Sequence, residues 1–421
     1  MSKKAHETAL PMRRFPEFRD AEAWVEKKLG ELTYPISERN KKDKKLPVYS
    51  ISNVNGFVPQ SSQFEGIDSH ERGYDVTLYK IVGKNTFAYN PARINVGSIG
   101  YSEELNEVLI SSLYVCFKTN DDLNDLFLWH FIKSAAFNQA VNNTVEGGIR
   151  SYLFYENLAT IKIQIPSLLE QQKIATTLSS LDALLTAQTA KLTALQDHKR
   201  GLMQDLFPSE GETVPKLRFP KFQDAGEWVG RKLSDVLTEH GSKSTGREEV
   251  YSVSVHKGLI NQIEHLGRSY SAANTDHYKK VIPGDVVYTK SPTGNFPFGI
   301  IKQSKIINTV IVSPLYGVFT PVNYALGSFI DLYFSSPMNT TRYLEPIVQK
   351  GAKNTINISN GVFLSKSFLF PPDDSEAKKI ADCLSSLDNL ITAQSQKIDA
   401  LKLHKKGLMQ ALFPAASEPA A

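Results

Sequence analysis

Histidines, cysteines and closely spaced acids are the side chains through which this chain could do chemistry, and their arrangement supports none. His198 and His404 occupy matching places in two repeated segments, with no Cys or second His at metal-ligand spacing. They suit the late turns of a helix, where a cation meets the dipole. Cys116 and Cys383 are the two cysteines and lie far apart, which excludes a disulfide framework and a Cys-based zinc site. Pro372-Asp373-Asp374-Ser375-Glu376-Ala377-Lys378 has the letters of a metal-dependent nuclease, but they are packed into one helix start. We read it as capping, with Asp374 or Ser375 as N-cap. An adenine methyltransferase needs Asp/Asn-Pro-Pro-aromatic. Asn90-Pro91-Ala92-Arg93 and Phe370-Pro371-Pro372-Asp373 lack that order, Phe296-Pro297-Phe298-Gly299 is no cofactor loop, and no P-loop occurs. No catalytic residue and no metal site are expected.

Binding remains. Reading a nucleic acid takes Arg, Lys, Asn or Gln at base edges, and hydroxyls and cations at phosphates. The densest basic run, Arg39-Asn40-Lys41-Lys42-Asp43-Lys44-Lys45, offers Lys41, Lys42 and Lys44, although such a run also suits a plain solvated loop. Two loops in the first half join a turn-former to an arginine: Tyr89 to Arg93, giving Tyr89 and Arg93, and Gly147 to Tyr152, giving Arg150 and Ser151. Glycine lets backbone approach closely, and Arg supplies a bidentate fork. The second half offers Lys290, Thr293 and Asn295, then Lys353 and Asn354, at roughly corresponding places. A turn that merely closes the domain would read the same way. The chain has 421 residues, and 48 Lys+Arg against 44 Asp+Glu leave a charge of +4, too little to make the whole molecule a polyanion binder. No stretch reaches the roughly 18 consecutive apolar residues of a membrane span, and the N-terminal lysines are followed by no apolar segment. A cytoplasmic protein is expected.

The elements that must position these loops come from an internal repeat. Lys173–Pro208 aligns without gaps to Lys379–Pro414, at an offset of 206, with 24 identities in 36 positions. Pro11–Leu29 matches Pro215–Leu233, at an offset of 204, with 11 identities in 19. The segments between have drifted apart, so two variable domains alternate with two nearly constant frames. Ile174, Leu178, Leu181, Leu185, Gln188, Leu192 and Leu195 follow heptad spacing, as do Ile380, Leu384, Leu387, Ile391, Gln394, Ile398 and Leu401. Each series predicts a long helix bounded by prolines. Matching seams predict that the helices pair with each other as an antiparallel coiled coil, with Gln188 and Gln394 meeting near its centre.

Glu170-Gln171-Gln172-Lys173-Ile174-Ala175, Leu178-Ser179-Ser180-Leu181-Asp182, His198-Lys199-Arg200-Gly201-Leu202-Met203 and Leu217-Arg218-Phe219-Pro220 resemble, in order and spacing, the specificity subunit of Type I DNA restriction-modification systems. The likeness runs from about Pro11 to Pro414; Ser375-Glu376-Ala377-Lys378-Lys379 departs from the usual Glu-Gln-Gln. It implies an α+β chain of two tandem globular α/β recognition domains, separated by two long helices with internal pseudo-twofold, circular symmetry. The expected divisions are a first target recognition domain at 1–166, a central helix at 167–208, a second recognition domain at 209–372, a C-terminal helix at 373–414 and a disordered tail at 415–421. It further implies a non-catalytic prokaryotic subunit that reads a bipartite double-stranded DNA target. Its helices would set the spacer and dock two modification (methyltransferase) subunits and two restriction subunits. S-adenosylmethionine, ATP and Mg would be used by those partners and not by this chain. A coiled-coil scaffold carrying two domains for non-DNA ligands is the alternative reading. Replacing Arg150 should damage one half-site only.

Overall fold

The computed structural model describes residues 11–63, 66–144, 152–268, 275–350 and 356–414. The chain divides into two compact units: residues 1–189 with 396–421, and residues 190–395. Each long helix, Leu168–Asp205 and Asp374–Leu412, contributes one part to each unit. The tail expected to be disordered, 415–421, lies outside the described residues.

In the first unit the early repeated block supplies strand Val25–Lys28, which pairs antiparallel with Lys162–Ile165 just ahead of the first long helix. An antiparallel sheet follows in the spatial order Thr33–Ile36, Val115–Thr119, Phe87–Tyr89, Ile99–Tyr101. A second sheet runs Gly56–Pro59, Val48–Ser52, Val108–Ile110, Lys80–Val82, with one parallel pair between Val48–Ser52 and Val108–Ile110. Helices Asp125–Ile132 and Ala135–Thr144 cover the first sheet's core.

The second unit repeats this plan by itself. Val229–Lys232 pairs with Ser367–Phe370. The four-stranded sheet runs Leu237–Glu239, Gly317–Pro321, Val286–Tyr288, Ile301–Gln303. The second sheet is reduced to the pairs Tyr251–Ser254 with Gly258–Asn261 and Lys279–Val281 with Val310–Val312. A parallel bridge, Val250 to Ile311, stands where the first unit has its parallel pair. Sequences that have drifted apart therefore hold one topology, because the matching central strands, Phe87–Tyr89 with Val286–Tyr288 and Val108–Ile110 with Val310–Val312, stay buried at every position while surface identity is lost.

The predicted helix pairing is observed within each unit. In the first, Ile174, Ala175 and Leu178 share a core with Leu408, Met409, Leu412 and Phe413. In the second, Ala377, Ile380, Ala381 and Leu384 share one with Leu202, Met203, Leu206 and Phe207. The start of one helix thus lies against the end of the other, and both pack on the globular domain. Between these ends the seam is shallower: Leu181, Leu185, Gln188, Leu192, Leu195, Leu387, Ile391 and Leu401 are half-buried, while Gln394 and Ile398 are buried. Lys405 pairs with Asp182 in one unit, and Lys199 with Asp388 at 2.6 Å in the other. Lys199 and Lys405 are repeat equivalents at the offset of 206, as are Asp182 and Asp388, so both units adopt one antiparallel register.

Each long helix is fastened by a buried ion pair. Arg14 Nε and Nη2 donate to Glu170 Oε1 and Oε2 at 2.9 and 2.6 Å, and Arg218 makes the same two bonds to Glu376 at 2.8 and 2.6 Å. Both carboxylates are about 1% exposed. Trp24 Nε1 adds a bond to Glu170 at 3.3 Å. The helix starts differ slightly from expectation: Asp373, not Asp374 or Ser375, caps the second long helix, accepting from the Ser375 backbone N–H at 2.8 Å. That bond holds the Asp373 carboxyl below its usual range.

One buried group distinguishes the units. The His130 ring shares a hydrogen bond with Ser179 Oγ at 3.0 Å, beside the Asp182–Lys405 pair and Lys133. Burial, aided by the positive charge of Lys405, pushes its pKa down to about 4. The neutral imidazole is favoured in the fold, so its stabilisation is complete above the unfolded value of about 6.5 and is lost as pH falls toward 4. We expect the first unit to lose on the order of 3 kcal/mol across that window, with His130→Leu flattening the pH profile of its melting. Glu170→Gln should destabilise the first unit and Glu376→Gln the second, each by roughly 3–5 kcal/mol, since a buried arginine loses its counter-charge. Urea unfolding of the full chain checks both, and equal behaviour of the Gln variants and the parent would contradict the clamp.

Candidate functional site

The two units place their sequence-derived loops at the same point of the topology, the connection between the third and fourth strands of the main sheet. In the first unit this connection is residues 90–98. Asn90 Oδ1 accepts from the Ala92 N–H at 3.0 Å and Arg93 N–H donates to Asn90 O at 3.0 Å, forming a tight turn. Ser98 N–H returns to Arg93 O, and Asn90 N–H to Ser98 O, so the loop closes on itself. Gly97 takes φ +88°, a left-handed conformation at its far corner. Ile94 is the buried anchor, leaving Arg93 and Asn95 in solvent.

Tyr89 does not join them. It ends the run Phe87-Ala88-Tyr89, every residue of which is buried, and its ring lies edge-on to Phe117 at 6.3 Å. Burial raises its phenol above the ordinary range. Tyr89 is therefore a core residue and not a DNA contact, a correction that the apolar run preceding it could have signalled. Exposed aromatics beside this loop are Tyr152 and Phe154, stacked at 5.8 Å and 13° on either side of buried Leu153. Leu153 N–H donates to Pro91 O at 3.0 Å, fixing that pair beside the Arg93 loop.

In the second unit the equivalent connection is residues 289–300. Thr293 and Phe296 exchange two backbone bonds at 3.0 Å, making a two-residue turn of Gly294 and Asn295. Phe296 is buried, and Tyr288 Oη donates to Phe298 O at 2.7 Å, so the loop is anchored on both sides of its tip. Gly299, at φ +95°, admits the chain where a Cβ would stand 2.9 Å from the Lys290 nitrogen. Thr293 and Asn295 are exposed. Lys290 is half-buried, and desolvation together with nearby Lys279 lowers its pKa against the opposing pull of Glu239.

The basic run is a built loop. Asn40 is fully buried: its N–H donates to Tyr79 O, its Oδ1 accepts from the Lys44 N–H at 2.8 Å, and its Nδ2 donates to Lys44 O at 3.1 Å. Lys44 pairs with Glu107 and Lys45 with Asp43, both at 3.0 Å, whereas Lys41 and Lys42 are exposed. Of the three candidate lysines, Lys44 already has a carboxylate partner. Arg150, Ser151, Lys353 and Asn354 lie outside the described residues. The strands Gln349–Lys350 and Ile356–Asn357 pair antiparallel on either side of the latter two.

The sequence Glu170-Gln171, a natural candidate for meeting a partner, faces inward. Gln171 is buried, accepting from Asn124 N–H and donating to the carbonyls of Asp122 and Pro166. Its counterpart Ala377, also buried, has no side chain to make these three internal bonds in the second unit. Among the described residues, no group of three His, Cys, Asp or Glu is placed to hold a metal ion, and no helix is long and apolar enough to cross a membrane.

Comparison with known proteins agrees with this geometry. Residues 21–196 match the family described as Type I restriction modification DNA specificity domain. The chain is 23% identical over 326 residues to the Type I restriction enzyme MjaVIII specificity subunit of Methanocaldococcus jannaschii, covering 73% of each. Its fold is similar to the crystal structure of the S subunit of a Type I restriction-modification system from M. genitalium, with a TM-score of 0.60 and 11% identity over 96% of this chain and 99% of that one. Nothing in these likenesses favours a scaffold for non-DNA ligands. The matched domain lies in the first half, and the second half repeats its frame, its ion-pair clamp and its sheet order, so both halves of the chain are similar to the specificity subunits of Type I restriction-modification systems.

Proposed function

We propose that this chain is the non-catalytic DNA-recognition subunit of a Type I restriction-modification complex, each globular domain reading one half of a bipartite target. The observation that carries this reading is the pairing of like frames with unlike loops. Arg14–Glu170 and Arg218–Glu376 clamp the two halves in the same way, yet the same connection presents Arg93 and Asn95 in one and Thr293 and Asn295 in the other. Identical frames suit identical partners, and different loops suit different base sequences. Arg93 has the fork that grips guanine O6 and N7, Asn295 the amide that pairs with adenine N6 and N7, and Lys41, Lys42 and Lys290 the charge for phosphate.

The paired helices then set the number of unread bases between the half-sites and carry the faces on which two modification subunits, and two restriction subunits with them, assemble. Methyl transfer from S-adenosylmethionine and ATP- and Mg-dependent translocation and cleavage belong to those partners, in a prokaryotic cytoplasm. A net charge of +4 leaves much of the phosphate grip to the partners as well.

Whole-genome methylation mapping of cells co-expressing the chain with its modification subunit should show one split adenine-methylated motif. Its absence from an assembled complex would refute the proposal. Because both units share one helix register, removal of a heptad between Ala187 and Leu195 has to be matched between Ala393 and Leu401. The matched deletion should shorten the gap and leave both half-sites unchanged; altered half-site bases would refute the spacer role. Arg93→Ala should relax the first domain's half-site alone.

A further inference from the structure

A second element stands next to each of these loops. In the first unit, strands Val48–Ser52 and Gly56–Pro59 form a hairpin whose tip is Asn53-Val54-Asn55, all exposed. Ser52 Oγ accepts from the N–H groups of Val54 and Asn55 at 3.1 and 3.3 Å, and Gly56 closes the turn at φ +62°. The tip is held against the Arg93 loop. Ser98 Oγ donates to Ile51 O at 3.0 Å, and a Cβ on Gly97 would stand 3.2 Å from Asn53 O. At Gly100 a Cβ would meet the Phe57 ring and nitrogen at 2.8 and 2.9 Å, so hairpin and loop approach as closely as backbone allows.

The second unit builds the same hairpin from Tyr251–Ser254 and Gly258–Asn261. Ser254 Oγ accepts from Lys257 N–H at 3.4 Å, and Gly258 repeats the left-handed corner at φ +66°. Val255 packs on the cluster that contains Phe296 and Ile300 of the neighbouring loop. His256 and Lys257 are left exposed. One scaffold position is thus pinned in both units by a serine hydroxyl and a left-handed glycine, yet it carries two asparagines in one and a histidine and lysine in the other.

We propose that these hairpin tips are specificity-determining elements, one for each half of the target; this rests on the DNA-recognition reading above. The chemistry differs as two different half-sites require. An asparagine amide both donates and accepts, which matches adenine N6 and N7, whereas Lys257 only donates, which matches guanine O6 and N7, and the His256 ring adds an N–H donor beside it. Rigid backbone under each tip limits the ordering cost of such contacts.

The test uses the full chain co-expressed with its modification subunit, reading the methylated motif and the affinity of the complex for duplexes carrying that motif. Asn53→Ala with Asn55→Ala should relax one or two base positions of one half-site and weaken binding roughly five- to hundredfold, leaving the other half-site intact. His256→Ala with Lys257→Ala should do the same to the other half only. Asn53→Asp with Asn55→Asp, nearly isosteric, should reproduce the loss through charge repulsion and guards against a folding artefact. If the parent complex methylates a split motif and these variants methylate the same motif with undiminished affinity, the tips are not readers. If they lose complex assembly with the motif unchanged, the tips face a protein, and the proposal is equally overturned. A parent complex with no split motif would instead overturn the recognition reading itself.

Discussion

The bidentate pairing of a buried arginine with a buried glutamate, made twice, is the constraint on which the rest depends. Glu170 and Glu376 stand in the first turn of the two long helices, where negative charge is also favoured by the helix dipole. Each accepts both bonds from an arginine in the block that begins its half of the chain. The same arginines donate onward to carbonyls at Ala21 and Glu22, or at Gly226, so the block is folded around the guanidinium. A charge removed from water without such partners would be strongly unfavourable. The clamp therefore admits one arrangement of strand, helix start and leading loop, and it makes that arrangement the same in both units.

From that anchor the helix seam follows. Apolar residues near the start of each helix join the domain core, and lysines late in each helix find an aspartate on the other. The sheets are then suspended from a fixed base: the third and fourth strands of each main sheet end at the loop, and a separate hairpin ends at the tip beside it. The turns that shape those ends are bonded internally, through Asn90, Ser98, Ser52 and Thr289. Arg93 and Asn295 are left exposed at those ends, whereas Thr293 Oγ1 still donates to Ser291 O at 3.3 Å.

Much of this is legible in the residues. The heptads and flanking prolines mark both helices and their antiparallel pairing, because periodicity and chain stops are local signals. The loops around Arg93 and Asn295 stand out through glycine, proline and basic side chains, whose conformational meaning is also local. Tyr89 misleads because a tyrosine beside a turn looks exposed, and only the fold around Phe117 encloses it. Lys44 resembles its neighbours until Glu107, 63 residues away, supplies its partner. The hairpin tips escape for a different reason: Asn53 and Lys257 stand in short polar turns whose importance comes from the neighbour they touch, and no sequence spacing records that contact.

The division between bonded backbone and released side chains has a consequence for how such a chain can change over generations. A substitution at Arg14 or its partner Glu170 is judged by stability, whereas one at an exposed loop position typically alters stability by no more than about 0.5 kcal/mol. The frame is thus filtered by folding and the exposed loop positions are not, so two copies of one ancestral segment can keep 24 of 36 frame residues in common while their loops diverge freely. New binding preferences become reachable by single substitutions that leave the fold, and every partner that relies on it, undisturbed.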